Sequence, residues 1–275
     1  MNKLAHFPPS WHKHSSLCCG CKFDNLDYPG SPDGTQSSVS TGDYFWQPEE
    51  DIVVWFEGGP KKWWSFIAHH FGLWRCNVNL IYPQLGEVVP DRWHERFPGR
   101  QCDMRIAFDG YNPITKTGGG SWAYPGFWQR VVAQDAISMN FGWFSESWDK
   151  GDITELKRVV LHEAGHGVVG WVHEHQNPGR GFDLSDAIYE DYARVGWSRE
   201  QVEKTFDVYP NPAVIHPFIR KSIMAYSMPS HHTVPSGGIP FNTEIHPMEI
   251  KQTEKEYGVK KPGGSSTMYL PFLAN

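Results

Sequence analysis

The chain has few cysteines, and all of them lie in its first part. It has 275 residues and five cysteines. Cys18, Cys19 and Cys21 form a cluster, Cys76 and Cys102 stand apart, and none follows Cys102. The odd number and the cysteine-free remainder argue against a disulfide framework and favour a reducing compartment. We interpret the cluster as free thiols in a loop, with a second metal site as the alternative.

Long apolar runs and an excess of positive charge are also missing. No run of about 18 apolar residues occurs, so no membrane span is expected. The formal net charge of -6 argues against a nucleic-acid partner. The first ten residues lack the apolar core of a signal peptide, which favours a cytoplasmic chain. A secreted chain whose signal had been removed would look the same.

The remaining composition supports a folded protein. Hydrophobic residues make up 39% of the chain and charged residues 20%, which is enough for a packed core. Residues 1–43 are rich in Pro, Gly, Ser and Asp and predict an irregular extension. An ordered domain is predicted for 44–258, and a loose Gly- and Ser-rich tail for 259–275.

Hydrophobic patterning predicts an α+β fold. Short β-rich or alternating runs predict strands at 52–56, 78–82, 103–108 and 136–143. Helical patterns occur at 60–74, 153–172, 185–194, 199–206 and 247–257. In the third strand Met104 and Ile106 alternate with Asp103 and Arg105, which is typical of a half-buried strand.

One stretch of the chain carries metal chemistry. His162-Glu163-Ala164-Gly165-His166 places two histidines four residues apart, so on a helix both imidazoles meet one metal ion. Glu163 follows the first of them and can reach a water on that metal. Gly170 can end the helix, and His173 follows it as a third ligand. Zinc with three protein ligands lowers the pKa of its water to about 7, and Glu163 would act as general base. This predicts amide hydrolysis.

A second motif lies downstream, and together the two resemble a known family. Ser222-Ile223-Met224-Ala225-Tyr226 is a tight turn with a methionine and then a tyrosine. With 162–176, it resembles the astacin-like branch of the metzincin zinc proteases, especially bacterial and fungal members. The family pattern is His-Glu-x-x-His-x-x-Gly-x-x-His-Glu followed by Ser-Ile-Met-His-Tyr. The resemblance covers roughly 45–258.

The resemblance implies a role for each matching residue. His162, His166 and His173 would bind Zn²⁺, with Tyr226 as an additional ligand that swings away and then hydrogen-bonds the oxyanion. Met224 would lie beneath the metal without binding it. Residues aligned with the substrate-pairing rim strand are Ser121, Trp122, Ala123 and Tyr124. Glu174 matches the glutamate that meets the buried N-terminus of the mature enzyme.

The resemblance further implies a metzincin-like architecture. A mixed twisted sheet and two long helices would form an N-terminal lobe at 44–170. An irregular C-terminal lobe at 171–258 would face it across a cleft.

The chain departs from the pattern in four places. Six residues separate His166 from His173, one more than in the family, and the intact Gly-x-x-His-Glu puts the additional residue before Gly170. One residue rotates a helix by about 100°, so we predict a one-residue π-bulge between 166 and 170, helped by the permissive backbone of Gly167. Ala225 replaces a histidine, Gly120 replaces the loop cysteine, and no pro-segment is recognisable.

Other readings of single residues stay open. A carboxylate from a later helix, Glu190 or Asp191, could replace His173 as the third ligand, although solvated helix charges are the simpler interpretation. His231 and His232 are interpreted as surface or cleft-rim residues. His69 and His70 lie on the first helix without a partner four positions away, which favours surface or core roles.

The function predicted from these observations is a zinc-dependent endopeptidase acting on a peptide or protein substrate. Two alternatives belong to other classes. The first is a binding protein that keeps the fold but has lost catalysis through the altered spacing. The second is an amide hydrolase that acts on a small or modified peptide in a biosynthetic pathway.

Overall fold

The computed structural model describes residues 45–59, 61–86, 92–108, 111–112, 117–118, 120–142, 153–208 and 216–260. The predicted extension at 1–43, with Cys18, Cys19 and Cys21, lies outside this part, as does most of the predicted tail. Among the described helices, none has both the length and the apolar character needed to cross a bilayer.

A five-stranded mixed sheet is the centre of the fold. Its strands are β1 (Asp51–Phe56), β2 (Asn79–Ile81), β3 (Met104–Ala107), β6 (Ser121–Ala123) and β7 (Met139–Phe141). They lie in the order β2-β1-β3-β7-β6. All neighbours are parallel except β6, which pairs antiparallel with β7 at the edge. A short hairpin of β4 (Tyr111–Asn112) and β5 (Thr117–Gly118) precedes β6.

Apolar clusters cover the sheet on both faces. Alternate residues of β1, including Val54 and Phe56, enter the main core, while Trp55 packs with Trp93 and Cys102 on the other side. The central strand β3 is therefore buried throughout. The half-buried strand predicted for 103–108 was wrong. Its polar residues Asp103 and Arg105 were expected to face water, but both are buried.

Arg105 is the buried charge of that strand. It has no exposed surface, and its guanidinium donates to the carbonyl oxygens of Ala136 (2.7 Å), Cys102 (2.6 Å), Gln129 (3.2 Å) and Val132 (3.0 Å). Burial lowers the pKa of Arg105 from its ordinary value. The side chain thus joins three carbonyls of the loop between β6 and β7 to the carbonyl of Cys102, just before β3, and supplies hydrogen-bond donors where the backbone is shielded from water.

Two helices pack on the main core behind the sheet. Helix α1 (Trp64–Gly72) follows a 3₁₀ turn at Lys61–Trp63, and α4 (Ile153–Ala164) runs beside it. The helix predicted at 60–74 is therefore present, with Pro60 outside the described residues. Short helices α2 (Trp93–Arg96) and α3 (Trp128–Val131) lie in the loops.

The part of the chain after Gly170 has its own apolar cluster. Helices α5 (Asp186–Ala193) and α6 (Arg199–Phe206) contribute Ile188, Tyr192, Val202 and Phe206 to it. Strands β8 (Asp183–Leu184) and β9 (Thr233–Val234) pair antiparallel. Helix α7 (Pro247–Tyr257) has the predicted limits, and Tyr257 returns to the main core. The division into lobes at 170 stays a prediction.

Replacing Arg105 tests its part in holding the loop. Arg105→Met keeps the volume but removes the guanidinium donor from the carbonyls of Ala136, Gln129 and Val132. We therefore expect a loss of about 3 kcal/mol in unfolding free energy. The measurement is chemical denaturation of the purified full chain. Arg75→Met, at an exposed arginine 4.0 Å from Glu254, is the matched control and should change stability by less than about 0.5 kcal/mol. Equal effects would contradict this account.

Candidate metal centre

The helix that carries the first two histidines ends in an unusual way. Helix α4 continues as a π-helical turn at Gly165–Val169, and Gly170 closes it with a left-handed φ of 83°. Gly170 N–H donates to the His166 carbonyl and Trp171 N–H to the Gly165 carbonyl, each at 2.9 Å. The bond from Trp171 spans six residues, whereas the corresponding bond of an ordinary glycine-capped helix end spans five. The π-bulge predicted from the spacing is confirmed.

Gly167 contributes to this turn by its small size. A Cβ at Gly167 would lie 2.5 Å from the Met139 side chain and 2.9 Å from Gln129 Nε2. The sequence suggested a permissive backbone as the reason for this glycine, but its φ is not in the left-handed range, and what the structure shows is a need for space. The turn can therefore pack directly on strand β7.

The wider turn brings three imidazoles together. His162, His166 and His173 are all buried, and their ligand nitrogens lie within 4.8 Å of one another. His162 Nε2 and His166 Nε2 face each other at 3.2 Å. The structure thus places the predicted third histidine beside the first two despite the longer spacing.

The tautomers of the first two imidazoles follow from their neighbours. Nδ1 of His162 lies 2.8 Å from the Ile223 carbonyl oxygen, and Nδ1 of His166 lies 2.6 Å from the Trp171 carbonyl oxygen. A carbonyl can only accept, so each Nδ1 carries a hydrogen and each neutral ring presents a lone pair at Nε2. This arrangement is typical of metal-binding histidines, whose other nitrogen donates to a carbonyl.

Burial keeps these rings neutral. It lowers the pKa of His166 to about 4 and, together with the neighbouring histidines, lowers the pKa of His162 and His173 well below the ordinary value. Two neutral rings with facing lone pairs at 3.2 Å repel each other, and a cation between them would turn that repulsion into attraction. The donor set therefore fits a zinc ion.

Tyr226 lies at the same centre, and Glu163 is buried on the metal helix, α4. Glu163 is 1% exposed and follows His162 on that helix. The ring of Tyr226 lies 4.5 Å from that of His173 and 5.7 Å from that of His162, between centroids. The structure thus brings the three histidines and Tyr226 together. Their chemical roles stay predictions.

The tight turn at 222–226, called the methionine turn below, packs against the end of the metal helix. A Cβ on Gly165 would lie 2.1 Å from Met224 Sδ, so only glycine lets the turn approach this closely. Glu249 of α7 holds the turn, because its carboxylate accepts from Ser222 Oγ (2.6 Å) and Ile223 N–H (3.2 Å). Glu249 was missed from the sequence. Its only local signal is a capping box with His246, which predicts a helix start but not this distant contact.

His175 is a second residue that was missed. Its Nδ1 accepts from the backbone N–H of Tyr226 (3.1 Å), and its Nε2 donates to the Thr205 carbonyl oxygen (2.9 Å). Its ring also stacks on that of Tyr226 at 4.5 Å. It therefore fixes the backbone and the ring plane of Tyr226. Its position two residues after His173 was the available signal.

Glu174 has partners within the described part of the chain. Its carboxylate accepts from Ile219 N–H (2.7 Å) and Asn177 Nδ2 (3.1 Å), and His216 Nε2 lies 3.6 Å away. Burial raises its pKa to about 8. These bonds join the segment after His173 to the segment before the methionine turn. A contact with the chain's N-terminus stays a prediction, because residues 1–44 lie outside the described part.

The predicted substrate strand is at the sheet edge. Ser121, Trp122 and Ala123 form β6, which among the described strands pairs only with β7. Just beyond it, Gly126 N–H donates to the His166 carbonyl at 2.8 Å, which ties this edge to the π turn. All four predicted residues, including Tyr124, are at most 7% exposed. Their pairing with substrate stays a prediction.

The alternative third ligands lie elsewhere. Glu190 is exposed beside Arg194, as expected for a solvated charge. Asp191 instead meets His231 and His232, so it belongs to another group. The surface interpretation of His232 was wrong, since it is 1% exposed. His70 is a core residue bonded to the Phe66 carbonyl oxygen (2.7 Å), as expected.

Comparison with known proteins adds to this picture. No family model matches the chain, and no curated protein does. Two solved structures of myroilysin match. The first has a TM-score of 0.62 at 24% identity and covers 78% of this chain and 96% of that one. The second has a TM-score of 0.52 at 23% identity and covers 83% and 93%.

A third structure is high choriolytic enzyme 1, a hatching enzyme zinc-protease from Oryzias latipes (medaka fish). It has a TM-score of 0.47 at 10% identity and covers 81% of this chain and 98% of that one. The likeness to myroilysin shows the fold. The α+β fold with a mixed sheet that was predicted from the sequence is therefore confirmed.

The buried carboxyl of Glu249 makes stability depend on pH. Burial raises its pKa from 4.5 to about 7 in the folded chain. The folded state therefore holds the proton more tightly than the unfolded state, so stability from this group is full below pH 4.5 and falls as the pH rises through 7. Glu249→Gln keeps the shape and removes the titration. Between pH 4.5 and 7, the unfolding free energy of the wild type, from denaturation curves, should fall by about 3 kcal/mol relative to that of the variant. Parallel profiles would contradict this.

Proposed function

We propose that the chain is a zinc-dependent endopeptidase that hydrolyses peptide bonds with Glu163 as general base. The observation that carries the proposal is the convergence of three buried, neutral imidazoles beside a buried glutamate and a tyrosine. This is the donor set of a catalytic zinc site, which uses three protein ligands and leaves a position for water. Zinc held there would supply a water of lowered pKa and polarise the substrate carbonyl.

The protein's own groups would perform the remaining steps. Glu163 would take the proton of the attacking water as the new C–O bond forms, and would then pass it to the leaving amine as the peptide C–N bond breaks. Tyr226 would donate its hydroxyl proton in a hydrogen bond to the carbonyl oxygen as negative charge develops there. His175, which holds the Tyr226 backbone at 3.1 Å, would position this donor.

A peptide substrate suits the sheet edge beside the helix. Strand β6 is bonded through Gly126 to the carbonyl of His166, so a chain paired with its outer edge would run close to the imidazoles. Such pairing recognises backbone and accepts many side chains. Because residues 121–124 are buried, this edge must be uncovered before a substrate can pair with it.

Glu163→Gln tests the general base. We expect turnover of a broad peptide library to fall by about 10² to 10⁴-fold, because the amide cannot accept the water proton. The zinc content, measured by elemental analysis, should stay unchanged. Glu190→Gln, at an exposed carboxylate, is the matched control and should keep full activity. Chelation of the wild-type chain should abolish cleavage, and added zinc should restore it.

The same assay separates the alternatives. Full turnover by Glu163→Gln would refute the mechanism. Zinc-loaded wild-type protein that cleaves no peptide would favour a binding protein. Cleavage of small or modified amides in the absence of library cleavage would favour the biosynthetic hydrolase.

Tyr226→Phe tests the oxyanion donor. The ring and its stacking on His175 remain, so only the hydroxyl is lost. We expect kcat to fall by about 10²-fold with little change in KM, because the bond forms in the transition state. Tyr189→Phe, at a half-buried tyrosine beside Arg199, is the matched control. A change confined to KM would contradict the proposed role.

A further inference from the structure

A second group of metal-binding side chains lies outside the candidate catalytic centre. His231 Nε2 and His232 Nε2 lie 2.9 Å and 3.0 Å from the same oxygen, Oδ2 of Asp191. The three ligand atoms are all within 4.8 Å of one another. They come from two elements that are distant in sequence, α5 and the 3₁₀ turn at Ser230–His232.

The backbone holds these two elements together independently of the side chains. Strand β8, just before α5, pairs with β9, just after the two histidines. Between the strands, Ser185 N–H donates to the His232 carbonyl at 3.0 Å, and Ser185 Oγ donates to the His231 carbonyl at 2.5 Å. The three donors are thus preorganised, and a ligand would not have to assemble them.

The two carboxylate oxygens of Asp191 have different partners, and Oδ2 is the one that faces the two histidines. Arg194 Nη1 donates to Oδ1 of Asp191 at 2.5 Å, so the carboxylate is oriented with Oδ2 towards the imidazoles. An ordered partner on the other oxygen is the kind of support that fixes metal-ligating carboxylates. The side chain of His232 is 1% exposed and that of Asp191 is 16% exposed, whereas that of His231 is 52% exposed. Solvent therefore reaches the group from one side.

The donor chemistry selects the ion. Two imidazoles and one carboxylate suit Zn²⁺ and its transition-metal neighbours, whereas Ca²⁺ and Mg²⁺ take oxygen ligands. Zinc–ligand bonds of about 2.0–2.2 Å place tetrahedral ligands about 3.4 Å apart. The observed separations of 2.9 and 3.0 Å need an opening of only a few tenths of an ångström. Water from the open side would complete the coordination.

We infer that Asp191, His231 and His232 form a second zinc site, which joins α5 to the segment leaving the methionine turn. This segment runs from Tyr226 to His231. A metal bond at its far end would restrict the segment and so stabilise the part of the chain that carries Tyr226. The site has no part in the proposed hydrolysis.

Metal counts on matched variants of the full chain test the inference. Each protein is stripped with a chelator, reloaded with Zn²⁺, freed of excess metal and measured by native mass spectrometry. His231→Ala should hold one zinc fewer than the wild type, because an exposed ligand is lost without disturbing the core. His69→Ala, at an exposed histidine outside both groups, should match the wild type. Differences between variants are used because Cys18, Cys19 and Cys21 offer further thiolates.

A variant of the other centre keeps the two proposals apart. His166→Ala should also lose one zinc, while the double variant His166→Ala/His231→Ala should lose two. If only His166→Ala loses an ion, the second site is refuted and the catalytic proposal is not. If only His231→Ala does, the proposed function fails and the second site stands.

Affinity and stability give further readouts. Zn²⁺ titration of the stripped His166→Ala chain should show a site that His231→Ala weakens by more than about 100-fold. His231→Cys, which restores a zinc ligand, should recover the lost ion. Zinc should also raise the thermal midpoint of His166→Ala, and His231→Ala should remove that rise. An unchanged zinc count in His231→Ala would overturn the inference.

Discussion

The constraint on which the rest of the structure depends is a group of three neutral, buried imidazoles whose ligand nitrogens lie within 4.8 Å of one another. Repulsion between the facing lone pairs of His162 and His166 has to be overcome by the scaffold or relieved by a cation. The scaffold contributes carbonyl acceptors on Nδ1 from Ile223 and Trp171, which fix both tautomers. Each acceptor belongs to a different segment, so the end of the π turn and the methionine turn must both be in place before the two tautomers are fixed.

The support beneath the imidazoles depends on two close approaches and one buried carboxyl. Gly165 admits Met224 and Gly167 admits Met139, so the π turn is packed closely at the two of its positions that lack a Cβ. Glu249 then ties the methionine turn to α7, and Tyr257 of the same helix donates to the Val169 carbonyl at 2.8 Å. The last described helix therefore holds both the turn that carries Tyr226 and the end of the metal helix.

Local patterns predicted the elements well because they depend on neighbouring residues. The limits of α6 and α7 match the predicted ranges, and the π-bulge follows from counting residues between His166 and Gly170. Contacts between distant segments were not predictable in this way. The burial of Arg105, the role of Glu249 and the meeting of Asp191 with two histidines all depend on which segments pack together. A polar residue in a strand indicates a solvent-exposed face only when no neighbouring group satisfies its hydrogen bonds, because a satisfied polar group can be buried.

The sequence by itself determined the candidate metal ligands, the candidate general base and the π turn, because the spacing of His162, His166, Gly170 and His173 is a one-dimensional property of a helix and its cap. Only the tertiary structure decided how those groups are supported and where the remaining histidines lie. His175 became a support for Tyr226, and His232 became a buried partner of Asp191. These contacts join residues from separate segments, and only the packing of the whole chain brings such residues within hydrogen-bond distance.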